Sequence, residues 1–275
     1  MHVLGVDRSY LYSHGDDELG TGIAGHYFDL VRERGIGKPT QYITGRQEFW
    51  GLEIEVTPDV LIPRPETEHL VESVVELARS AALAKEDVKS PGSRHESPQG
   101  VGLRIVDVGT GSGCIALALA SEIPQARLIA TDISRAALRV AQRNTARLGL
   151  RDRVSFVETD LLAGVCAGAQ FDVVVSNPPY VGSDELDCVQ REVREFEPRL
   201  AWGGAGEGEA IYRRLFPQSW QALRPGGYVV VEVGYNQAGK VLGLLKEGWA
   251  GTEVRPDLAG IPRVVMARKG TNTNK

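Results

Sequence analysis

From residue 104 onward, short apolar runs alternate with longer stretches whose apolar residues recur at helical spacing. The runs at 104–108 (RIVDV), 127–131, 154–158, 171–176 (FDVVVS), 228–233 (YVVVEV) and 263–267 predict strands. The segments at 115–122, 135–148, 209–223 and 237–246 predict helices. The strand runs show little polar alternation, as expected when helices cover both faces of a mainly parallel sheet. The pattern therefore predicts an α/β, Rossmann-like open sheet, which takes its ligands at the carboxyl ends of the strands.

Upstream the signals are weaker. Residues 1–47 are polar and punctuated by glycine, with short helices expected around 7–13 and 24–34. Residues 48–62 (EFWGLEIEVTPDVLI) predict a β-hairpin or short strands, with Phe49 and Trp50 as packing residues. Pro65 suits the first turn of a following helix, where Glu66 and Glu68 face the positive end of its dipole. That helix carries Leu70, Val71, Val74, Val75, Leu77 and Ala78 on an apolar face. Residues 85–102 are rich in Pro, Ser, Gly and charge, and predict a flexible surface loop. Three parts follow: an N-terminal helical segment (1–47), a hairpin linker (48–65) and a catalytic-sized domain (66–275).

Composition narrows the functional classes. A net charge of −5 and a pI near 5.7 give no general electrostatic hold on nucleic acid. Cys114, Cys166 and Cys188 are far apart and lack metal-ligand spacing, which argues against a disulfide framework or a zinc site and for a reducing compartment. No secretory signal and no apolar stretch of about 20 residues is present, so a cytoplasmic protein with no membrane partner is expected.

The first strand of the sheet runs into Gly109, Thr110, Gly111, Ser112 and Gly113, followed by the apolar helix CIALALA. The glycines permit a tight turn and leave room for a ligand. About 20 residues later Asp132 ends the second strand, where a carboxylate can accept from both ribose hydroxyls of a nucleoside. The loop also satisfies a loose dinucleotide pattern, so both S-adenosylmethionine and a nicotinamide dinucleotide fit the glycines alone. Asp107, just before the loop, suits an acidic residue beside the methionine moiety of the methyl donor. Asp160 and Leu161, after the third strand, lie where a carboxylate and an apolar side chain can meet an adenine; a solvated Asp at a strand end is the simpler alternative.

The fourth strand ends in Asn177, Pro178, Pro179 and Tyr180. Each proline locks its own φ and keeps the preceding residue extended, so the acceptors of Asn177 and Pro178 have fixed places. A planar NH2 group, whether amide or aromatic amine, is a poor nucleophile. Two fixed oxygens that accept its two N–H bonds can turn its lone pair towards a methyl electrophile, and both strengthen as positive charge grows on nitrogen. Tyr180 offers an aromatic face for the planar group. Hydride transfer has no use for such a motif.

At these residues the chain resembles the HemK/PrmC family of protein-(glutamine-N5) methyltransferases, which act on peptide chain release factors. The likeness spans residues 37–268. It includes GKPTQYITGRQEFWGLEIEVTPDVLIPRPETEHLVE at 37–72, DVGTGSGCIALALA at 107–120, SNPPYV at 176–181, FEPRLA at 196–201, LRPGGYVVVEVGYNQ at 223–237 and DLAGIPRVV at 257–265. The resemblance implies an S-adenosylmethionine-dependent methyltransferase sheet with a small helical N-terminal segment, shortened relative to the family. It implies donor contacts at the glycine loop, Asp132, Leu161 and Asn177, and glutamine contacts along Asn177, Pro178, Pro179 and Tyr180. It places Arg64 and Glu66 beside the donor site, where a capping turn with a surface salt bridge is an equal reading. The implied substrate is the glutamine of a Gly-Gly-Gln motif in class-1 release factors. A ribosomal-protein glutamine and the exocyclic amine of adenine or guanine in DNA or RNA are the alternatives, since each presents an NH2 group; a base would also need flipping or a single strand.

Overall fold

A computed structural model describes residues 1–86, 102–165, 168, 170–203, 206 and 208–271 of the chain. Its centre is a seven-stranded sheet: β3 (Arg104–Val108), β4 (Arg127–Asp132), β5 (Val154–Glu158), β6 (Phe171–Ser176), β7 (Leu223–Glu232), β8 (Trp249–Pro256) and β9 (Pro262–Lys269). A separate antiparallel hairpin, β1 (Arg46–Phe49) and β2 (Leu52–Glu55), precedes it. The spatial order is β5-β4-β3-β6-β7-β9-β8. Strands β3 to β7 pair in parallel, and β9 enters antiparallel between β7 and β8.

The chain runs outward from β3 to β5 and then returns to place β6 on the other side of β3. That reversal opens a crevice at the carboxyl ends of β3 and β6, where open α/β sheets bind ligands. Helices α4 (Glu68–Glu86), α5 (Cys114–Glu122) and α6 (Arg135–Arg147) contribute to the core on one face, and α9 (Ala210–Ala222) and α10 (Ala238–Leu242) to the core on the other. Successive residues of a single strand serve both cores: Val173, Val175 and Val230 face the first, and Val174, Val229 and Val231 the second. This is why the strand runs read as continuously apolar.

Strands β3, β5 and β6 have the bounds their apolar runs predict, β4 and β9 extend theirs, and β7 ends one residue short of its run, at Glu232. Strand β7 begins five residues early, at Leu223, with an irregular register between Phe171 and Val173 of its neighbour. Strand β8 was not predicted. Most of its residues are exposed and it pairs with β9 alone, so it carries no apolar run. The helix expected at 237–246 is cut to five residues at Gly243. Short helices α3 (Thr40–Thr44), α7 (Arg191–Phe196) and α8 (Arg199–Trp202), none longer than six residues, were not expected either.

The hairpin is narrower than expected and is shifted towards the N-terminus. Its turn is Trp50-Gly51, both at positive φ (53° and 68°), the geometry of a two-residue type I′ connection. Phe49 is buried, and Trp50 is half-buried with its indole N–H donated to Glu122 (3.0 Å). In the N-terminal segment, α1 (Arg8–Ser13) starts on an Asp7 cap and α2 (Thr21–Gly35) follows, and neither buries a residue. Of the loop expected at 85–102, residues 87–101 lie outside the described residues, while 85 and 86 still belong to α4.

Candidate active site

The glycine loop is tied to the neighbouring strand by its own backbone. The N–H groups of Gly109 and Thr110 both donate to the Thr131 carbonyl (2.9 Å each). Gly109, Gly111 and Gly113 all have positive φ, but for different reasons. A Cβ at Gly109 or Gly111 meets nothing within 4 Å, so the space over the loop is open to a ligand. A Cβ at Gly113 would lie 3.1 Å from the Cβ of Ala141, so this glycine lets α5 pack on α6.

Beneath the loop Asp107 is fully buried. Its Oδ2 accepts from Thr110 Oγ1 (2.6 Å) and the Ala116 N–H (3.2 Å), while Oδ1 has no hydrogen-bond partner within the protein. The buried Ser112 hydroxyl is likewise without one. Burial pushes the Asp107 carboxyl up to about 7, against the pull of its two donors. Asp132 accepts the Gly111 N–H at Oδ2 (2.9 Å) and the Ser134 N–H at Oδ1 (2.8 Å), which holds both oxygens at the loop's rim. Each carboxylate oxygen retains a further lone pair. The spare acceptor capacity of Asp132 and the open glycine cradle fit the nucleoside of S-adenosylmethionine, and the N-terminus of α5 suits the carboxylate of its methionine end. Asp160 is exposed and ion-paired with Arg214, and Leu161 is half-buried at the unusual φ of 52°.

The second half of the site starts where Ser176 Oγ donates to the Val108 carbonyl (2.7 Å), joining the ends of β6 and β3. Beyond it, Asn177 donates from Nδ2 to Thr67 Oγ1 (3.0 Å). Thr67 in turn donates to Glu232 Oε2 (2.7 Å), and the Tyr180 hydroxyl donates to Glu232 Oε1 (3.1 Å). Asn177 and Tyr180 are half-buried and Pro178 is buried, whereas Thr67 and Glu232 are almost fully enclosed. The Tyr180 carbonyl accepts from Gln237 Nε2 (2.9 Å), and a Cβ on Gly234 would reach 2.9 Å from the Tyr180 ring. The ring therefore lies directly on glycine backbone.

Arg64 reaches Glu197 (2.5 Å), and the same buried carboxylate accepts the Ile62 N–H (3.1 Å). This pair has one buried partner and ties the PRP segment to FEPRLA, so the expectation of a surface salt bridge does not hold for Arg64. Glu66 stays exposed.

Sequence reasoning overlooked Thr67, Glu197, Glu232 and Gln237, although all lie within the quoted motifs. Glu232 carried a usable signal, because a carboxylate inside the run VVVEV must either find partners or lose its charge. Thr67 carried none, since a threonine in a helix's first turn reads as a cap.

Two family models match the chain. Residues 1–45 match the model described as the PrmC N-terminal domain, and residues 96–207 match the methyltransferase small domain. A release factor glutamine methyltransferase of Koribacter versatilis is 46% identical over 272 residues, 99% of this chain and 89% of that protein. One from Geobacter sulfurreducens is 39% identical over 97% of this chain and 86% of that protein. Among solved structures, the hMettl16 catalytic domain in complex with the MAT2A 3'UTR hairpin 6 superposes with a TM-score of 0.59, at 15% identity, covering 98% of this chain and 94% of that one. A methyltransferase from Pyrococcus furiosus gives 0.51 at 18%, covering 90% and 99%. Both structural likenesses speak to the fold alone.

Proposed function

We propose, since the chain belongs to the release factor glutamine methyltransferase family, that it methylates the side-chain amide nitrogen (N5) of the glutamine in the Gly-Gly-Gln motif of class-1 release factors. It is an S-adenosylmethionine-dependent methyltransferase, and the bound donor supplies an electrophilic methyl on a sulfonium. In this reading Gly109, Thr110, Gly111, Ser112 and Gly113 cradle the donor, Asp132 takes the ribose hydroxyls, and Asp160 and Leu161 border the adenine. No described helix is long and apolar enough to cross a membrane, and we place the reaction in the cytoplasm, where release factors work.

One observation carries the reading. Asn177 commits its NH2 group to Thr67, so its Oδ1 remains available as an acceptor at the end of β6. Oδ1 takes one N–H of the substrate carboxamide and the Pro178 carbonyl takes the other, while the Tyr180 ring flanks the plane. Held this way, the nitrogen lone pair would be aimed at the methyl that a bound donor would supply, with its sulfur as the leaving group. The methylated nitrogen then loses one proton to water or a neighbouring acceptor. Alignment supplies most of the acceleration, on the scale of about 7–11 kcal/mol available to well-oriented reactants.

The test is incubation with labelled donor and either release factor or nucleic acid, followed by mass-spectrometric location of the label. Label on the motif glutamine is expected; label on nucleic acid, or none on glutamine, overturns the assignment. Asn177→Ala should lower kcat by roughly 10²-fold or more while donor affinity survives, by analogy with the loss of one transition-state hydrogen bond.

A further inference from the structure

An asparagine can present either end of its amide, and only one end serves the clamp. The oxygen accepts from the substrate NH2, whereas the NH2 end would oppose it donor to donor. Something in the protein must choose between two orientations of nearly identical shape. Thr67 touches Asn177, but a hydroxyl can donate or accept and is by itself indifferent to the choice.

Glu232 removes that indifference. As an ionised carboxylate it can only accept, so the hydroxyl protons of Thr67 (2.7 Å) and Tyr180 (3.1 Å) both point towards it. With its proton committed, Thr67 Oγ1 has only lone pairs to offer Asn177, and the Asn177 Nδ2 group turns to meet them (3.0 Å). Glu232 closes the relay from inside the fold: it lies on β7, is 2% exposed, and its own carbonyl accepts from Tyr212 (2.7 Å).

We infer that Glu232 acts through Thr67 as a positioning relay that sets the amide of Asn177 oxygen-outward, and holds Tyr180 with its other oxygen. The inference rests on the substrate clamp proposed above and adds two residues to it, neither of which touches substrate.

The relay works only while Glu232 is ionised. Once protonated it becomes a donor to one hydroxyl, and a Thr67 hydroxyl so relieved can donate to Asn177 Oδ1, which favours the reversed amide. The charged and titratable groups that act on Glu232 come from every side. Arg263 of β9 stabilises its charge, and Glu66 ahead of α4 opposes it. Tyr180 and Tyr212 stay protonated because burial and this carboxylate push both phenols far up, and burial likewise raises the thiol of Cys114 on α5. Burial outweighs the rest and pushes the Glu232 carboxyl up to about 7, so part of the acid limb of activity belongs to it.

The decisive variants are Thr67→Val, which keeps the shape and loses the hydroxyl, and Glu232→Gln, whose NH2 must face one of the two hydroxyls. Each should lower kcat by at least about tenfold, the scale of one hydrogen bond, with donor Kd and release-factor KM within about twofold of the starting protein. Thr67→Ser should recover most of the loss, and Glu232→Gln should lose the part of the kcat acid limb near pH 7 that the parent shows. In an Asn177→Ala background, Thr67→Val should cost nothing further. If Thr67→Val does not fold, Glu232→Gln is judged by the same criteria. Wild-type kcat in either folded variant, or a uniform loss that includes donor binding, overturns the relay. Wild-type kcat in Asn177→Ala overturns the clamp itself, so the two failures are distinguishable.

Discussion

Neighbouring residues of one loop have separable jobs, and substitutions should separate them. Gly109→Ala places a methyl in the open space above the loop, at a φ of 73°. Its backbone strain is about 1–2 kcal/mol, and the larger effect should be a donor affinity reduced by about tenfold or more in calorimetric titration. Gly113→Ala meets Ala141 at 3.1 Å with a φ of 85°, and should cost about 2–4 kcal/mol in denaturant unfolding through strain and overpacking. The two buried carboxyls give a pH signature of unusual sign. Asp107 and Glu232 are both raised to about 7 from ordinary carboxylate values near 4, so the folded state holds protons that the unfolded chain releases. Their contribution to stability is fully present below about pH 4 and is lost as pH rises through about 7. Urea midpoints measured without donor should fall across that window, and Asp107→Asn should flatten the fall; a midpoint that rises from pH 5 to pH 8 in the parent and is unaltered in the variant would contradict the burial argument. The proposed clamp residues Asn177 and Tyr180 were legible because prolines and strand position mark them. Their hydrogen-bonded link to Thr67 and Glu232 was not, because contacts among residues 67, 177 and 232 leave no local spacing to read, even though a carboxylate inside VVVEV marks Glu232 itself.

At the scale of elements, strands buried on both faces such as β3 and β6 announce themselves by composition, and the edge strand β5 was also readable to the residue. Strand β8 exists because β9 offers it a partner, so nothing in WAGTEVRP announces it. The hairpin's attachment to the site was also invisible beforehand. Asn144 of α6 is fully buried, donates to the carbonyls of Ser112 (2.9 Å) and Glu55 (3.0 Å), and accepts the Glu55 N–H (2.7 Å). One side chain thus joins hairpin, helix and glycine loop. Asn144→Ala strands three backbone groups and should destabilise the fold by about 2–5 kcal/mol. Because Ser112 belongs to the loop, donor affinity should drop with it; unchanged stability would show that these elements are held together by packing alone.

For the whole molecule, the pattern of alternating elements was enough to predict a Rossmann-like sheet, but it could not order the final strands. Strand order depends on which edges meet in space, and the late crossing of β9 into the sheet is a long-range choice. That crossing has a consequence for synthesis. Strand β8 leaves the ribosome before the strand that will join it to the sheet, and until residues 262–269 follow, the apolar-rich YVVVE stretch of β7, residues 228–232, has an uncovered edge. A nascent chain halted there presents an open template for pairing with other chains, so a gene truncated ahead of Pro262 should yield aggregates rather than a weakened enzyme.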